Sequence, residues 1–131
     1  MLENKECIFC NKSNCNIISL TNYFFIIRDT AYPVTKHHTL IITKRHVSDF
    51  FELTFDELNE LNKILKEQKK NLLKLDKKIT GFNLGVNVGK DAGQSIMHCH
   101  IHLIPRRNGD VRDPSGGVRG VIPEKQKYHK T

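Results

Sequence analysis

Residues 93–107 read GQSIMHCHIHLIPRR, with histidine at 98, 100 and 102 and cysteine, isoleucine and leucine at 99, 101 and 103. Along an extended strand, successive side chains point to opposite faces and alternate ones repeat every 6.5 to 7 Å or so. The spacing therefore predicts a strand with His98, His100 and His102 on one face. Cys99, Ile101 and Leu103 lie on the other, which is apolar enough to pack under a helix. Three of the chain's seven histidines on consecutive outward positions are a poor product of chance. Neutral imidazole both ligates metals and exchanges protons or attacks near neutral pH, so the strand alone leaves metal binding and catalysis open.

Working outward, YFFIIR (23–28) and TLIIT (39–43) are short β-branched and aromatic runs with Pro33 between them, and they read as strands. After Leu53 the pattern changes. Thr54 and Glu57 have capping-box spacing, Leu53 and Leu58 are placed for a hydrophobic staple, and Leu58, Leu61, Leu65, Leu72 and Leu75 recur near the helical period. One amphipathic helix from Phe55 to about Lys77 is expected, lying on a sheet. Gly81 and Gly85 bracket a further extended run, FNLGVNV. In the loop before the histidines, Gly93, Gln94 and Ser95 could offer backbone N–H groups and a hydroxyl to an anion. Beyond Pro105 the chain turns rich in Gly, Pro, Arg and Asp, and this tail is either disordered or laid over a site.

A length of 131 residues with 38% apolar and 27% charged residues suits one soluble domain, with a basic tail over about 108–131. No apolar run approaches the roughly 18 residues of a membrane span. The opening MLENKECIFC carries acids and no hydrophobic signal segment, which sets the expectation of a cytoplasmic protein with unpaired thiols. The net charge of +7 favours anionic partners. Nucleic acid is disfavoured, because the chain has no tryptophan and its aromatics are not interleaved with the basic residues as a stacking platform needs.

His98-Cys99-His100-Ile101-His102-Leu103-Ile104 resembles the signature of the histidine triad (HIT) family, His-X-His-X-His followed by two apolar residues. The likeness extends to CIFC near the start, HTLIITKRHV from His38, NVGKDAGQS from Asn87 and GGVRGVIPEKQKY near the end. That last stretch is similar to a bacterial branch described as diadenosine polyphosphate hydrolase-like. The resemblance implies an α+β fold, an antiparallel sheet of about five strands crossed by one long helix, commonly as a homodimer. It implies a nucleotide hydrolase or transferase that cleaves dinucleoside polyphosphates or related adenylylated compounds at the α-phosphate. A phosphoramidase, or a nucleotide-binding regulator with little turnover, are the alternatives.

By the same resemblance His100 is the nucleophile that forms a nucleotidyl-histidine, His102 touches the scissile oxygen, and His38 supports the triad. His37 stands where a glycine is usual, so either histidine of that pair is a candidate to enter the site. Asn87 and Ser95 match phosphate-contacting positions and Asp29 a ribose-binding acid, with Gly93 and Gln94 completing the nucleotide loop. Cys7, Cys10, His46 and His98 match the ligands of a structural zinc, an acceptable Cys2His2 set. Arg106, Arg107, Arg112 and Arg119 are candidates to pair with the distal part of a polyphosphate.

Overall fold

A computed structural model describes residues 7–12 and 15–128. The first six residues and the last three, on which the expectations of a cytoplasmic start and of a basic end partly fall, lie outside the described residues. Five strands form one antiparallel sheet: β1 (Ile17–Leu20), β2 (Phe24–Arg28), β3 (Thr39–Thr43), β4 (Ile79–Gly85) and β5 (His100–Arg107), in the order β1-β2-β3-β5-β4. A single long helix, α1 (Phe55–Leu75), links β3 to β4 and covers one face.

That face is built from alternate residues of the central strands. Phe24, Ile26, Ile41, Cys99 and Ile101 pack with Leu61 and Ile64 of the helix, and Leu103 with Leu72. Each such aliphatic side chain contributes roughly 1.5–3 kcal/mol by leaving water. The alternation places Cys99, Ile101 and Leu103 under the helix, as their spacing predicts. The opposite face carries Phe25, Leu40 and Ile42, capped by Phe9. Because Leu40 pairs with His102 and Ile42 with His100, the two histidines emerge on this second face.

The helix begins where expected. Thr54 Oγ1 accepts the Glu57 amide at 3.1 Å and Glu57 Oε1 accepts the Thr54 amide at 2.9 Å, a complete capping box. Its buried stripe is rotated from the leucine pattern, running Glu57, Leu61, Ile64, Gln68, Leu72, while Leu58 and Leu75 face solvent and the staple does not bury Leu58. Polar partners on and beside the sheet explain the rotation. Arg45 draws Glu57 inward at 2.9 Å, and Arg28 draws Gln68 inward at 2.9 Å. The helix stops at Leu75, short of Lys77, because Asp76 leaves helical geometry and its carboxylate is taken by Arg107 at 3.0 Å.

Past β5 the tail does not leave the body. Two short 3-10 turns, Gly117–Val121 and Pro123–Lys125, fold against each other, and the first touches β4. Residues of this segment, Arg112, Pro114 and Val118 among them, line a cleft with β4 and β5.

Candidate active site and metal centre

The histidine segment starts before the strand it was assigned to. β5 begins at His100, and His98 sits in the preceding bend, fully buried. Three backbone groups then fix the ring states of the three histidines. His98 Nε2 donates to the Thr43 carbonyl at 2.7 Å, so its Nδ1 carries a lone pair. His100 Nδ1 donates to the His98 carbonyl at 2.7 Å, so its Nε2 carries one. At the third ring the information arrives through His38. The Val34 amide donates to His38 Nδ1 at 3.0 Å, which puts the His38 proton on Nε2, and that proton points at His102 Nδ1 2.9 Å away. Neutral His102 therefore holds its own proton on Nε2.

The electrostatics agree with neutral rings. Burial lowers the His100 pKa against the opposing His98 carbonyl and Asp29 charge. Burial also lowers that of His38, with Asp29 opposing. His102 is pushed down to about 4, by burial first and then by His100 and His38. Asp29 Oδ2 lies 3.9 Å from His38 Nδ1, but that nitrogen already accepts the Val34 amide, so the contact is a field effect and no hydrogen bond. The other carboxylate oxygen of Asp29 accepts the amides of Ala31 and Tyr32.

His102 borders a cleft of about 810 Å³ together with Asn83, Gly85, Asn87, Arg112 and Val118. Gly85 pairs directly with His102 and adds no side chain over it. His100 stands behind, its ring 5.2 Å from that of His102, and it is 8% exposed. No buried side-chain nitrogen or oxygen among the described residues lacks a partner, so the partnerless Nε2 of His100 reaches solvent. An unprotonated ring nitrogen on buried His100 and a proton-bearing ring nitrogen on His102 thus stand on neighbouring rings, with His102 at the edge of the cleft.

The rest of the expected nucleotide loop is mostly occupied with itself. Gly93 and Gln94 donate their amides to Lys90 and Gly89, and the Gln94 side chain holds Gly89, Ser48 and Ile96. Ser95 is exposed and makes no hydrogen bond among the described residues. His38, not His37, enters the site. His37 adopts φ 71, a left-handed conformation, and lines a separate pocket with Lys36, Asp76 and Arg107. Of the four arginines, Arg106 is bound by Asn83 and Asp110, Arg107 by Asp76, and Arg119 lies over the Tyr128 ring. Arg112 lines the cleft and makes no ion pair among the described residues.

On the other side of His98, the ligand atoms of Cys7, Cys10, His46 and His98 all lie within 4.8 Å of one another. His46 Nδ1 is 3.1 Å from His98 Nδ1, and Cys10 Sγ is 3.0 Å and 3.5 Å from those two nitrogens. A tetrahedron with metal–sulfur bonds of about 2.3 Å and metal–nitrogen bonds of about 2.0 Å has edges near 3.3 Å between nitrogens, 3.5 Å between nitrogen and sulfur and 3.8 Å between sulfurs. The cluster fits a metal. The chemistry of the donors fits as well, since the His98 lone pair is already turned toward the two sulfurs and the second imidazole.

The HIT domain matches residues 11–109. The chain belongs to the HIT family. An uncharacterised HIT-like protein of Methanocaldococcus jannaschii is 37% identical over 107 residues, covering 79% of this chain and 81% of that protein. Adenosine 5'-monophosphoramidase of Candida albicans is 31% identical over 118 residues, covering 82% of this chain and 75% of that protein. Among solved structures, a zinc-bound histidine triad family protein from Mycobacterium smegmatis superposes with a TM-score of 0.70 at 30% identity, covering 83% of this chain and 84% of that one.

For this HIT protein, sequence reasoning passed over Phe9, Asn83 and the Val34 amide. The first two are ordinary core and strand residues until the fold brings them to the histidines. A backbone amide leaves no trace in a residue string.

Proposed function

We propose that this HIT protein is a nucleotide hydrolase or transferase acting at the α-phosphorus through a nucleotidyl-histidine on His100. The observation that carries the reading is the pair of fixed ring states: an unprotonated, solvent-reached Nε2 on His100 beside a proton-bearing His102 at the edge of a cleft. The His100 lone pair attacks phosphorus and the bond to the leaving group breaks. His100 keeps its Nδ1 proton on the His98 carbonyl and becomes a cationic N-phosphoryl imidazole. A phosphate leaving group departs as an anion, with the His102 Nε2 proton hydrogen-bonded to the departing oxygen. Water or another acceptor then attacks phosphorus, gives up a proton and restores the imidazole.

His38 holds His102 in that ring state. Asp29 would accept ribose hydroxyls, Asn87 and Ser95 would contact the phosphate, and Arg112 the distal charge of a polyphosphate. A second reading, hydrolysis of a phosphorus–nitrogen bond, is supported by the likeness to the Candida albicans phosphoramidase. An amine must leave protonated, so it needs a proton from solution or from a charged His102. We read the metal as zinc, closed by four protein ligands and hence structural, and the protein as a cytoplasmic homodimer.

Turnover of diadenosine tetraphosphate and of an adenosine phosphoramidate, compared for wild type and His100→Ala, tests the reading. Nucleotide binding is expected to persist in the variant while both activities disappear. Unchanged turnover in His100→Ala would remove the nucleophile, and an inactive wild type that still binds nucleotide would make the protein a regulator.

A further inference from the structure

Between the two cysteines of the Cys7-Ile8-Phe9-Cys10 turn stands a residue that the metal does not need. Phe9 is buried, with 4% of its surface exposed, and packs on Phe25, Leu40 and Ile42. Its ring meets two others edge-on: His98 at 6.0 Å between centroids and His100 at 5.1 Å. A segment that supplies two metal ligands therefore also supplies a wall of the His100 ring. His98 repeats the pattern, since its side chain faces the metal cluster while its carbonyl accepts the His100 Nδ1 proton.

His102 occupies a further side of the His100 ring, at 5.2 Å and 61°. Phe9 and His102 thus both contact the imidazole, and the His98 carbonyl fixes its rotation. Removing the Phe9 ring would open one side of His100 and leave the His98 hydrogen bond and the His102 contact to hold it, with room to swing or to exchange its ring state. An imidazole that must present one particular nitrogen to phosphorus loses rate steeply with such freedom.

We infer that the metal turn positions the nucleophile: ligation by Cys7, Cys10, His46 and His98 holds Phe9 and the His98 carbonyl against His100, and Phe9 is a positioning residue for the reaction. This rests on the proposed nucleotidyl transfer for its kinetic consequence, and on geometry alone for its effect on the ring. Outer-shell groups that fix the ring orientation of a metal-ligating histidine cost about 10- to 100-fold when lost, and a loss of the same order is expected where the ring so fixed is the reacting one.

The test is a graded series, Phe9→Leu, Phe9→Val and Phe9→Ala, in the full zinc-loaded chain. Metal content, kcat and KM on diadenosine tetraphosphate, and the ring 15N shifts of His100 are measured on each. Metal content is expected to stay at the wild-type level throughout. Phe9→Leu keeps most of the bulk and should remain close to wild type. Phe9→Val and Phe9→Ala should lose about 10- to 100-fold in kcat with little change in KM. The His100 Nε2 signal, pyridine-like in the wild type, should move toward the average of the two ring states. Metal-stripped wild type should show the same movement.

Folded Phe9→Val and Phe9→Ala variants with wild-type 15N shifts would overturn the inference, whatever their rate. A fall in kcat accompanied by a matching rise in KM and unmoved shifts would assign Phe9 to packing alone. Unmoved shifts in the metal-stripped protein would sever the link to the metal. Should Phe9→Ala fail to fold, Phe9→Val reads the same quantities. A wild type without nucleotide turnover would defeat the catalytic reading, while the ring shifts still decide the positioning.

Discussion

His38 Nε2 lies 2.9 Å from His102 Nδ1, and because the other His38 nitrogen already accepts the Val34 amide, the proton between the rings belongs to His38. The ring state of a residue at the cleft is thus set by a main-chain N–H two rings away. His38→Ala removes the donor and leaves a half-buried acceptor on His102 without its partner. A loss of about 2 kcal/mol in folding stability is expected in urea titrations. Turnover should fall on the order of 100-fold through the lost orientation. His38→Gln, whose amide can still donate to His102 Nδ1, should recover a substantial part of both. Equal damage from the two substitutions would show that the donated proton is not what His38 contributes.

Burial holds His102 down to about 4, against roughly 6.5 for an exposed histidine. The native protein therefore binds this proton less readily than the unfolded chain. Above pH 6.5 the ring is neutral in both states and its contribution to stability is fully present. As pH falls from 6.5 toward 4 the unfolded chain is protonated first, and up to about 3 kcal/mol is lost. Urea midpoints measured from pH 7.5 to 4.5 should decline across that interval. The decline should be shallower in His102→Phe, and an equal slope in the two proteins would contradict the burial argument.

How much of this was legible in the chain depends on which physical quantity carried it. Periodicity located β3 at Thr39–Thr43 and the start of the helix at Phe55, because alternation and capping chemistry are local. It misplaced the buried stripe, since Glu57 and Gln68 are drawn inward by Arg45 and Arg28 from distant segments. The same limit applies at the site. Alternation put His100 and His102 on one face, yet three residues sharing a pattern have three separate neighbourhoods, and the division between metal and cleft arises at the bend before His100. The pair His37 and His38 could not be separated by sequence because the deciding quantity is a backbone angle.

That angle makes its own claim. His37 sits at φ 71, where a side chain costs about 1 kcal/mol or more and glycine costs little. His37→Gly is expected to raise folding stability by roughly 0.5–1 kcal/mol, the relief of strain outweighing the extra freedom of the unfolded chain. Nucleotide turnover should be unaffected, because His37 lines a separate pocket with Lys36, Asp76 and Arg107. Destabilisation by the glycine would mean that the histidine ring earns its place through contacts stronger than the strain.

Removing the metal tests the other half of the division. Without a cation, His98 Nδ1 and His46 Nδ1 stand 3.1 Å apart, and the His98 nitrogen cannot carry a proton while its Nε2 donates to Thr43. Chelation should release the turn from residue 7 to residue 12 and expose Phe9, at a cost of about 3 kcal/mol, which for a chain of this length lowers Tm by roughly 10 °C. The sheet and helix should survive, since their core of Phe24, Ile41, Leu61 and Ile101 lies on the other face. Far-ultraviolet circular dichroism should therefore be nearly unchanged at 25 °C while Tm falls. Protein purified without added metal should contain zinc in proportion to chain, and a fully folded, metal-free preparation with the same Tm would show that the four ligands cluster for another reason.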